Sequence, residues 1–575
     1  MLTVFKLVNK YFWKGAIGPL FAFILPLIML LFLGSTLGSE FFFPGGVAIS
    51  ILTIGLVFMP QSIFEFKNSS LLKRIGTTPI NPSKFLIVII LFNFLIMLIS
   101  ILLVFLFSFL IFKDNLFESK LIPNPKPGTP IVGVGWLEML KSVDWPSFLY
   151  STFLAIFLTM IVGVLLASIA TSTLFIQGVG ITLMMITFFV APAVLPVGMI
   201  ASVDAIKYSG YFLPFKYPIS LMIESFSSFD PISPDQSYMM NINNSNIWDI
   251  NTDYVIYNTM GGISGGADGN LVIFEKYDKI LNHVMPYFFI ILFGYFAIGK
   301  FSWSTRSSKK MNWRIITSFI TSRNKNKNLD GPISNSDINS KYIIEAHNIS
   351  KFFTIKHEKF SANDDISIKF KRGESVALLG SNGAGKTTFV EMVMGLNKPD
   401  VGYFQYNYAT KINYQESLGI QFQDSSYPTG LKCKDIILFL KDAYKIDISD
   451  EELQKLVNEF GIDKFYNKNA RSLSGGQQQR LNLLLSIIHK PKLVFLDELS
   501  TGLDIKIRTT IKKFIKKFAK DNDMTIVIIS HDMEEVDYLA DRIIVLKEGK
   551  VVSDKPKKEI KSEFASIEKF LEQYL

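Results

Sequence analysis

Three short runs in the C-terminal half of the chain carry residue types that could do chemistry on a phosphate. In the first, the apolar strand-like SVALL (375–379) leads into Gly380, Ser381, Asn382, Gly383, Ala384, Gly385, Lys386, Thr387 and Thr388, and then into the helical FVEMVMGL. Strand, glycine loop and helix in that order make a phosphate cradle. The glycines let backbone amides turn inward, and the helix start adds unpaired amides and the positive end of its dipole. Lys386 then reaches the outer phosphates of a nucleotide, and the Thr387 hydroxyl can ligate Mg²⁺. In the second run, the buried-strand pattern LVFL (493–496) ends in Asp497 and Glu498. An acidic pair at the carboxyl edge of a strand lies beside the cradle in this type of sheet. Asp497 is placed to hold Mg²⁺, directly or through water. Glu498 is placed to polarise an attacking water as general base, a role worth roughly 10²–10⁴-fold in rate. The third run, LSGGQQQR (473–480), sets Ser474, Gly475, Gly476 and Gln477 at a second predicted helix start, a second anion cradle with an added hydroxyl.

A domain that already holds its phosphates has no obvious use for a second cradle, but the ABC ATPases have one. Residues 342–575 resemble the ATP-binding domain of that family, and LSGGQQQR matches its signature sequence. The resemblance implies that the signature of one subunit closes over the ATP held by the cradle of another. It also implies roles for four further residues. Gln423, in GIQFQD, resembles the glutamine that senses Mg²⁺ and relays to the membrane domain, with Gln421 as the alternative. Asp504, in STGLD, resembles the aspartate at the dimer seam. His531, after the strand-like TIVIIS, resembles the switch histidine at the γ-phosphate. Phe353, in SKFF, takes the place of the aromatic that stacks on adenine, with Phe352 as the alternative. One departure is visible: Leu499 stands where the family usually has proline after the catalytic glutamate, a position that shapes the turn without touching nucleotide.

The other half of the chain is of a different kind. The whole is 49 % hydrophobic and only 19 % charged, and the charge is concentrated after about residue 341. Six runs, 16–38, 44–64, 85–112, 148–171, 173–200 and 284–303, approach or exceed the roughly 20 apolar residues that cross a bilayer. Most lack a central charge, which would cost about 2.5–3.5 kcal/mol on insertion scales. The expected fold is therefore a membrane α-helical bundle of six transmembrane helices joined to an α/β P-loop NTPase domain of ABC type. The expected divisions are a permease at 1–303 with an outer loop at 201–283, a polar flexible linker at 304–341, and the ATP-binding domain at 342–575. Residues 1–14, with Lys6, Lys10 and Lys14, suit an amphipathic helix on the cytosolic leaflet. Since ATP is cytosolic, six spans put both termini inside, and Arg74 and Arg306 fall on cytosolic flanks.

The loop at 65–85 joins the second and third spans inside, where a cytosolic ATPase could grip its short central helix. The apolar stretch 210–226 suggests a re-entrant helix pair on the outer side. Span count, interfacial first helix, inner loop and outer hairpin together resemble the membrane domain of type-two ABC exporters.

The net charge of +9 gathers beside hydrophobic runs, as at Lys67, Lys73 and Arg74, which favours contact with membrane lipid over nucleic acid. The single cysteine, Cys433, permits no disulfide within the chain.

These features predict a multi-pass protein of the cell membrane with its ATPase domain in the cytoplasm, using ATP and Mg²⁺. One permease and one ATPase per chain imply a half-transporter, paired with a second copy of itself or a closely related half. Its predicted work is export of a hydrophobic or amphipathic substrate such as a drug, peptide, lipid or lipid-linked glycan. A mechanotransmission or signalling complex without cargo is the alternative.

Overall fold

The structure is a computed structural model that describes the chain apart from residues 38, 79, 81, 113–142, 192–203, 228–253, 256–271, 275, 301–339, 356–357, 409–413, 423–425, 500–503, 565 and 575. Contacts divide it into two compact units: Met1–Tyr11 with Phe66–Phe85 and Arg314–Leu575, and Phe12–Glu65 with Leu86–Trp313.

In the first unit, the helices that bear on the site are α1 (Leu2–Lys14), α2 (Ser70–Ile75), α3 (Lys386–Val393), α4 (Cys433–Ala443), α5 (Gly475–Ile487) and α6 (Ile505–Asp521). The strands are β1 (Tyr342–Ile355), β2 (Glu358–Lys371), β3 (Ser375–Leu379), β4 (Val401–Tyr406), β5 (Leu418–Ile420), β6 (Leu493–Asp497), β7 (Thr525–Ile529), β8 (Arg542–Lys547) and β9 (Lys550–Pro556). They form a three-stranded antiparallel sheet, ordered β2-β1-β4, and a six-stranded sheet, ordered β9-β8-β3-β7-β6-β5. In the larger sheet β3, β5, β6, β7 and β8 run parallel, and only β9 is antiparallel.

A parallel sheet is covered on both faces, so its strands read as continuous apolar runs. Leu493–Leu496 and Thr525–Ile529 are buried throughout. One core fills the space between the two sheets and α3, where Phe370 meets Phe389 and Phe495 edge-on or tilted. A second lies on the opposite face, around Leu379, Val536, Ile543 and Phe570. Because β3, β7 and β6 are adjacent and parallel, their carboxyl ends open on one edge of the sheet. Such an edge is the usual ligand side of open α/β sheets.

The same unit contains α1 and α2. Val4, Leu7, Val8 and Tyr11 of α1 are buried, a helical i, i+3, i+4, i+7 stripe, and Lys10 forms an ion pair with the buried Asp435 of α4 at 3.1 Å. The helix expected on the leaflet thus spends a lysine on the ATP-binding part of the chain.

The second unit is helical. Among the described residues, five helices are long and apolar enough to cross a membrane: Phe43–Lys67, Ser83–Ile111, Trp145–Ile169, Thr173–Val190 and Ile280–Gly299. The first expected run reaches that length only when the bent pair Leu2–Lys14 and Ile17–Leu31 is counted as one. Close helix approach is bought by glycine here: a Cβ on Gly163 would lie 2.3 Å from the Gly55 carbonyl oxygen. Gln61 donates to Glu65 at 2.9 Å and accepts from Gln177 at 3.1 Å, so these three polar side chains satisfy one another inside the bundle. Of the stretch 210–226 expected to form a helix pair, only the second part is a helix, Lys216–Ser227; the helix before it, Asp204–Gly210, ends where the stretch begins. The expected linker and most of the outer loop lie outside the described residues.

Candidate functional site: a nucleotide cradle at the sheet edge

The cradle follows β3 directly. Gly385 caps α3 with φ +97°, a left-handed conformation, and a Cβ there would fall 2.2 Å from the Ala362 carbonyl oxygen. No side chain caps α3, so its first amides remain available to an anion. Lys386 folds back and donates from Nζ to the carbonyls of Gly380, at 2.6 Å, and Ser381, at 3.0 Å. Burial lowers its pKa, while Asp497 and Glu498 pull it up again. Ser381, Asn382, Gly383 and Thr387 are exposed, Thr388 is half-buried, and the Ala384 side chain packs into the core.

Asp497 and Glu498 sit at the end of β6, two strands from β3. Burial, reinforced by the Glu498 carboxylate, pushes Asp497 up to about 6 against the pull of Lys386. Glu498 has φ +50°, its amide donates to the Ile529 carbonyl at 2.8 Å, and its own carbonyl accepts from Gln479 Nε2 at 2.5 Å. A residue before proline is pressed towards extended conformations. Leu499 lifts that restriction on Glu498 and is itself fully buried.

The residues fit a nucleotide with a divalent cation. The loop offers open space beyond Gly383 and uncapped helix amides to phosphates. Asp497 and the Thr387 hydroxyl are hard oxygen donors, and the mutual repulsion of Asp497 and Glu498 is what a cation would relieve.

The remaining predicted residues fall as follows. Ser474 and Gln477 form a capping box at the start of α5, and the Gln477 side chain accepts from the Ser474 amide at 3.2 Å. Ser474 and Gly475 are exposed, and Gly475 has nothing near its Cβ position. Asp504 is exposed and caps α6 by accepting from the Ile507 amide at 3.0 Å. His531 is exposed just beyond β7. Phe353 is half-buried on β1, with Lys351 Nζ 5.8 Å from its ring centre. Gln423 lies outside the described residues. The alternative, Gln421, is buried with neither side-chain polar atom hydrogen-bonded. Phe352 donates its amide to Asp400 at 2.8 Å.

Sequence reasoning missed several residues around α2. Arg74, taken as a flanking cation, is buried and donates to the Ile420 carbonyl and to both the carbonyl and Oδ1 of Asn482, each at 3.2 Å. Burial lowers its pKa. Tyr427 also donates to Asn482 Oδ1, and Thr77 bonds Tyr444, whose ring stacks on His489. Burial carries His489 down to about 4 and keeps it neutral. A polar Asn482 within the apolar NLLLSI was the one available signal.

A phosphate loop, an acidic pair two strands away on the same sheet edge and a parallel sheet joining them define a P-loop nucleotide-binding domain. The family described as "ABC transporter" matches residues 363–501. Among curated relatives, the spermidine/putrescine import ATP-binding protein PotA of Mycoplasma mycoides is 31 % identical over 215 residues, 36 % of this chain and 60 % of that protein. The chain thus spans about three-fifths of the length of that relative. The probable sulfate/thiosulfate import ATP-binding protein CysA of Chlorella vulgaris is 32 % identical, over 36 % of this chain and 87 % of its own length. The energy-coupling factor transporter ATP-binding protein EcfA2 of Clostridium tetani is 32 % identical, over 36 % and 76 %. Among solved structures, a dimeric ATP-binding cassette in a post-hydrolysis state with ADP and phosphate is 25 % identical over 37 % of this chain and 98 % of that one, with a TM-score of 0.34. The chain belongs to the ABC transporter family, and its C-terminal part is an ABC ATPase domain.

Proposed function

We propose that this chain is a half-transporter whose ATPase drives export of a hydrophobic or amphipathic substrate across the cell membrane, as a homodimer or with a closely related half. The carrying observation is that one polypeptide joins the Gly380–Thr388 cradle and the Asp497–Glu498 strand end to five, or up to six, helices of membrane-crossing length. Residues 1–303 are the multi-pass permease, 304–341 the linker, and 342–575 the cytoplasmic ATP-binding domain. The import proteins among the relatives match only the ATPase part, so their direction does not transfer to a chain with its own membrane helices.

In this reading the amides of α3 and Lys386 bind the phosphates, and Phe353 stacks on the adenine. Asp497, Thr387 and Gln423 hold Mg²⁺, which supplies charge neutralisation on the phosphates when bound. Glu498 holds the attacking water and takes its proton, and His531 steadies the γ-phosphate. Ser474, Gly475, Gly476 and Gln477 of one copy approach the nucleotide of the other, with Asp504 at the seam. Exposure of Ser474, Gly475, Asp504 and His531 in the single chain supports a site completed by a second copy.

The test is Glu498→Gln in the full chain. ATP binding persists and hydrolysis falls by about 10²-fold or more. Unchanged turnover would remove the mechanism. ATP-dependent movement of a lipid or drug probe in proteoliposomes separates export from signalling without cargo.

A further inference from the structure

We propose that Arg74 is a positioning residue for ATP hydrolysis: its single guanidinium ties the end of β5 to α5, the two elements that brace the Asp497–Glu498 strand end. The proposal rests on the reading of Asp497 and Glu498 as the hydrolytic pair and deepens it.

Burying a guanidinium is costly unless its donors are met. Among the described residues Arg74 has no carboxylate partner. Its Nη1 and Nη2 donate to the Ile420 carbonyl, the Asn482 carbonyl and Asn482 Oδ1, its Nε meets no acceptor among the described residues, and its guanidinium carbon lies 5.4 Å from the Phe422 ring centre. The three acceptors are fixed dipoles on two different elements. A planar fork satisfies all three at only one separation of β5 from α5. The loop that bears it is seated independently: Ser70 donates from its amide and its hydroxyl to the Ser426 carbonyl, each at 2.8 Å, and Thr77 bonds Tyr444 at 2.9 Å.

Two routes lead from the guanidinium to the acidic pair, one through hydrogen bonds alone and one along the body of α5. In the first, the carbonyl of the Ile420–Gln421 peptide accepts from Arg74 while its N–H donates to the Phe495 carbonyl at 2.9 Å, two residues before Asp497 on β6. In the second, Asn482 shares a face of α5 with Gln479, three residues earlier, and Gln479 donates to the Glu498 carbonyl at 2.5 Å. Glu498, at φ +50°, is fastened by that bond and by the hydrogen bond its N–H donates to the Ile529 carbonyl. A shift of α5 relative to β5 therefore moves the carboxylate that orients water, and Arg74 joins α2 to both elements at once.

The test is steady-state ATP hydrolysis by the full-length protein in lipid nanodiscs, comparing wild type, Arg74→Ala, Arg74→Lys, Gln479→Ala and the double variant Arg74→Ala/Gln479→Ala. Arg74→Ala lowers kcat on the order of tenfold or more with KM for ATP little changed, because water positioning is lost while the cradle stands. Arg74→Lys restores only part of the rate, since one ammonium cannot span both elements. Gln479→Ala also lowers kcat, and the double variant is no slower than the slower single, as expected of one shared route. The proposal is overturned if Arg74→Ala or Arg74→Lys hydrolyses ATP at the wild-type rate, if KM rises in step with the fall in kcat, or if the two single effects multiply. Should Arg74→Ala fail to fold, Arg74→Lys and Gln479→Ala, which keep the bulk of the site, still decide it. Loss of hydrolysis in Glu498→Gln alongside normal rates in every Arg74 variant would sink the positioning role alone. Normal rates in Glu498→Gln as well would sink the underlying reading.

Discussion

The ATPase unit contains two helix starts built from glycine and hydroxyl residues, and they are finished differently. At α3, Gly385 turns left-handed, no side chain caps the helix, and Lys386 lies over the loop with the Asp497–Glu498 charges near it. At α5, Ser474 is extended, its side chain and that of Gln477 cap each other's backbone, and Gly475 faces open space. The first start leaves its amides for a ligand and gathers opposite charges around them. The second satisfies itself, and the cation beside its first turn, Arg480, donates to the Gly476 carbonyl at 3.4 Å. Both are anion cradles by composition. Local capping separates the two: the start of α3 leaves its first amides without a side-chain cap, and the start of α5 caps itself.

The largest expected effect tests the first cradle. Lys386→Ala removes the one side-chain cation at the phosphate loop, and ATP hydrolysis should fall about a hundredfold or more, measured as phosphate release by the full chain. Retention of normal hydrolysis would mean that the backbone amides alone suffice and that the charge contrast between the cradles is idle.

A matched pair of substitutions then sets the two starts against each other. Gly385→Ala places a methyl 2.2 Å from a carbonyl oxygen in a left-handed conformation, a strain of order 1–3 kcal/mol, and should abolish binding of a fluorescent ATP analogue. Gly475→Ala meets nothing and sits in a helix, where alanine is favoured over glycine by about 1 kcal/mol. It should leave analogue binding intact and slow hydrolysis by about tenfold, by crowding the approach to a second copy's nucleotide. Full-speed hydrolysis by Gly475→Ala would remove the shared site.

How much of this was legible in the sequence depends on the range of the interactions. The cradle is local: strand, left-handed glycine, lysine and helix succeed one another within a dozen residues, and glycine spacing encodes the turn. The strand ending in Asp497 and Glu498 shows itself as an apolar run with a charged end. Arg74 does not, because its acceptors lie 346 and 408 residues away and its neighbours SLLKRI read as an ordinary basic flank. Lys10 is the same case. The stripe Val4, Leu7, Val8 and Tyr11 would suit a lipid surface or a protein groove equally, and only the pairing with Asp435 distinguishes them. The membrane-length helices were visible by composition. The first expected run, 16–38, was visible too, but the bend that makes it reach spanning length only together with Leu2–Lys14 was not.

The smallest expected effect bears on why α5 keeps its shape. Ser474 is the N-cap, and its hydroxyl is engaged with the Gln477 backbone while the Gln477 side chain accepts from the Ser474 amide at 3.2 Å. Loss of such a cap costs about 1 kcal/mol. Ser474→Ala should therefore raise amide hydrogen exchange in the first turn of α5 by about fivefold, with exchange in α3 unchanged. Gln477→Ala removes the reciprocal bond and should do the same. Had the hydroxyl been free for a ligand, its loss would leave the exchange of unliganded protein unmoved and would register only after ATP is added. Faster exchange without nucleotide thus assigns Ser474 to its own helix first. Unchanged exchange would put both cradles in one class, each with groups waiting for phosphate.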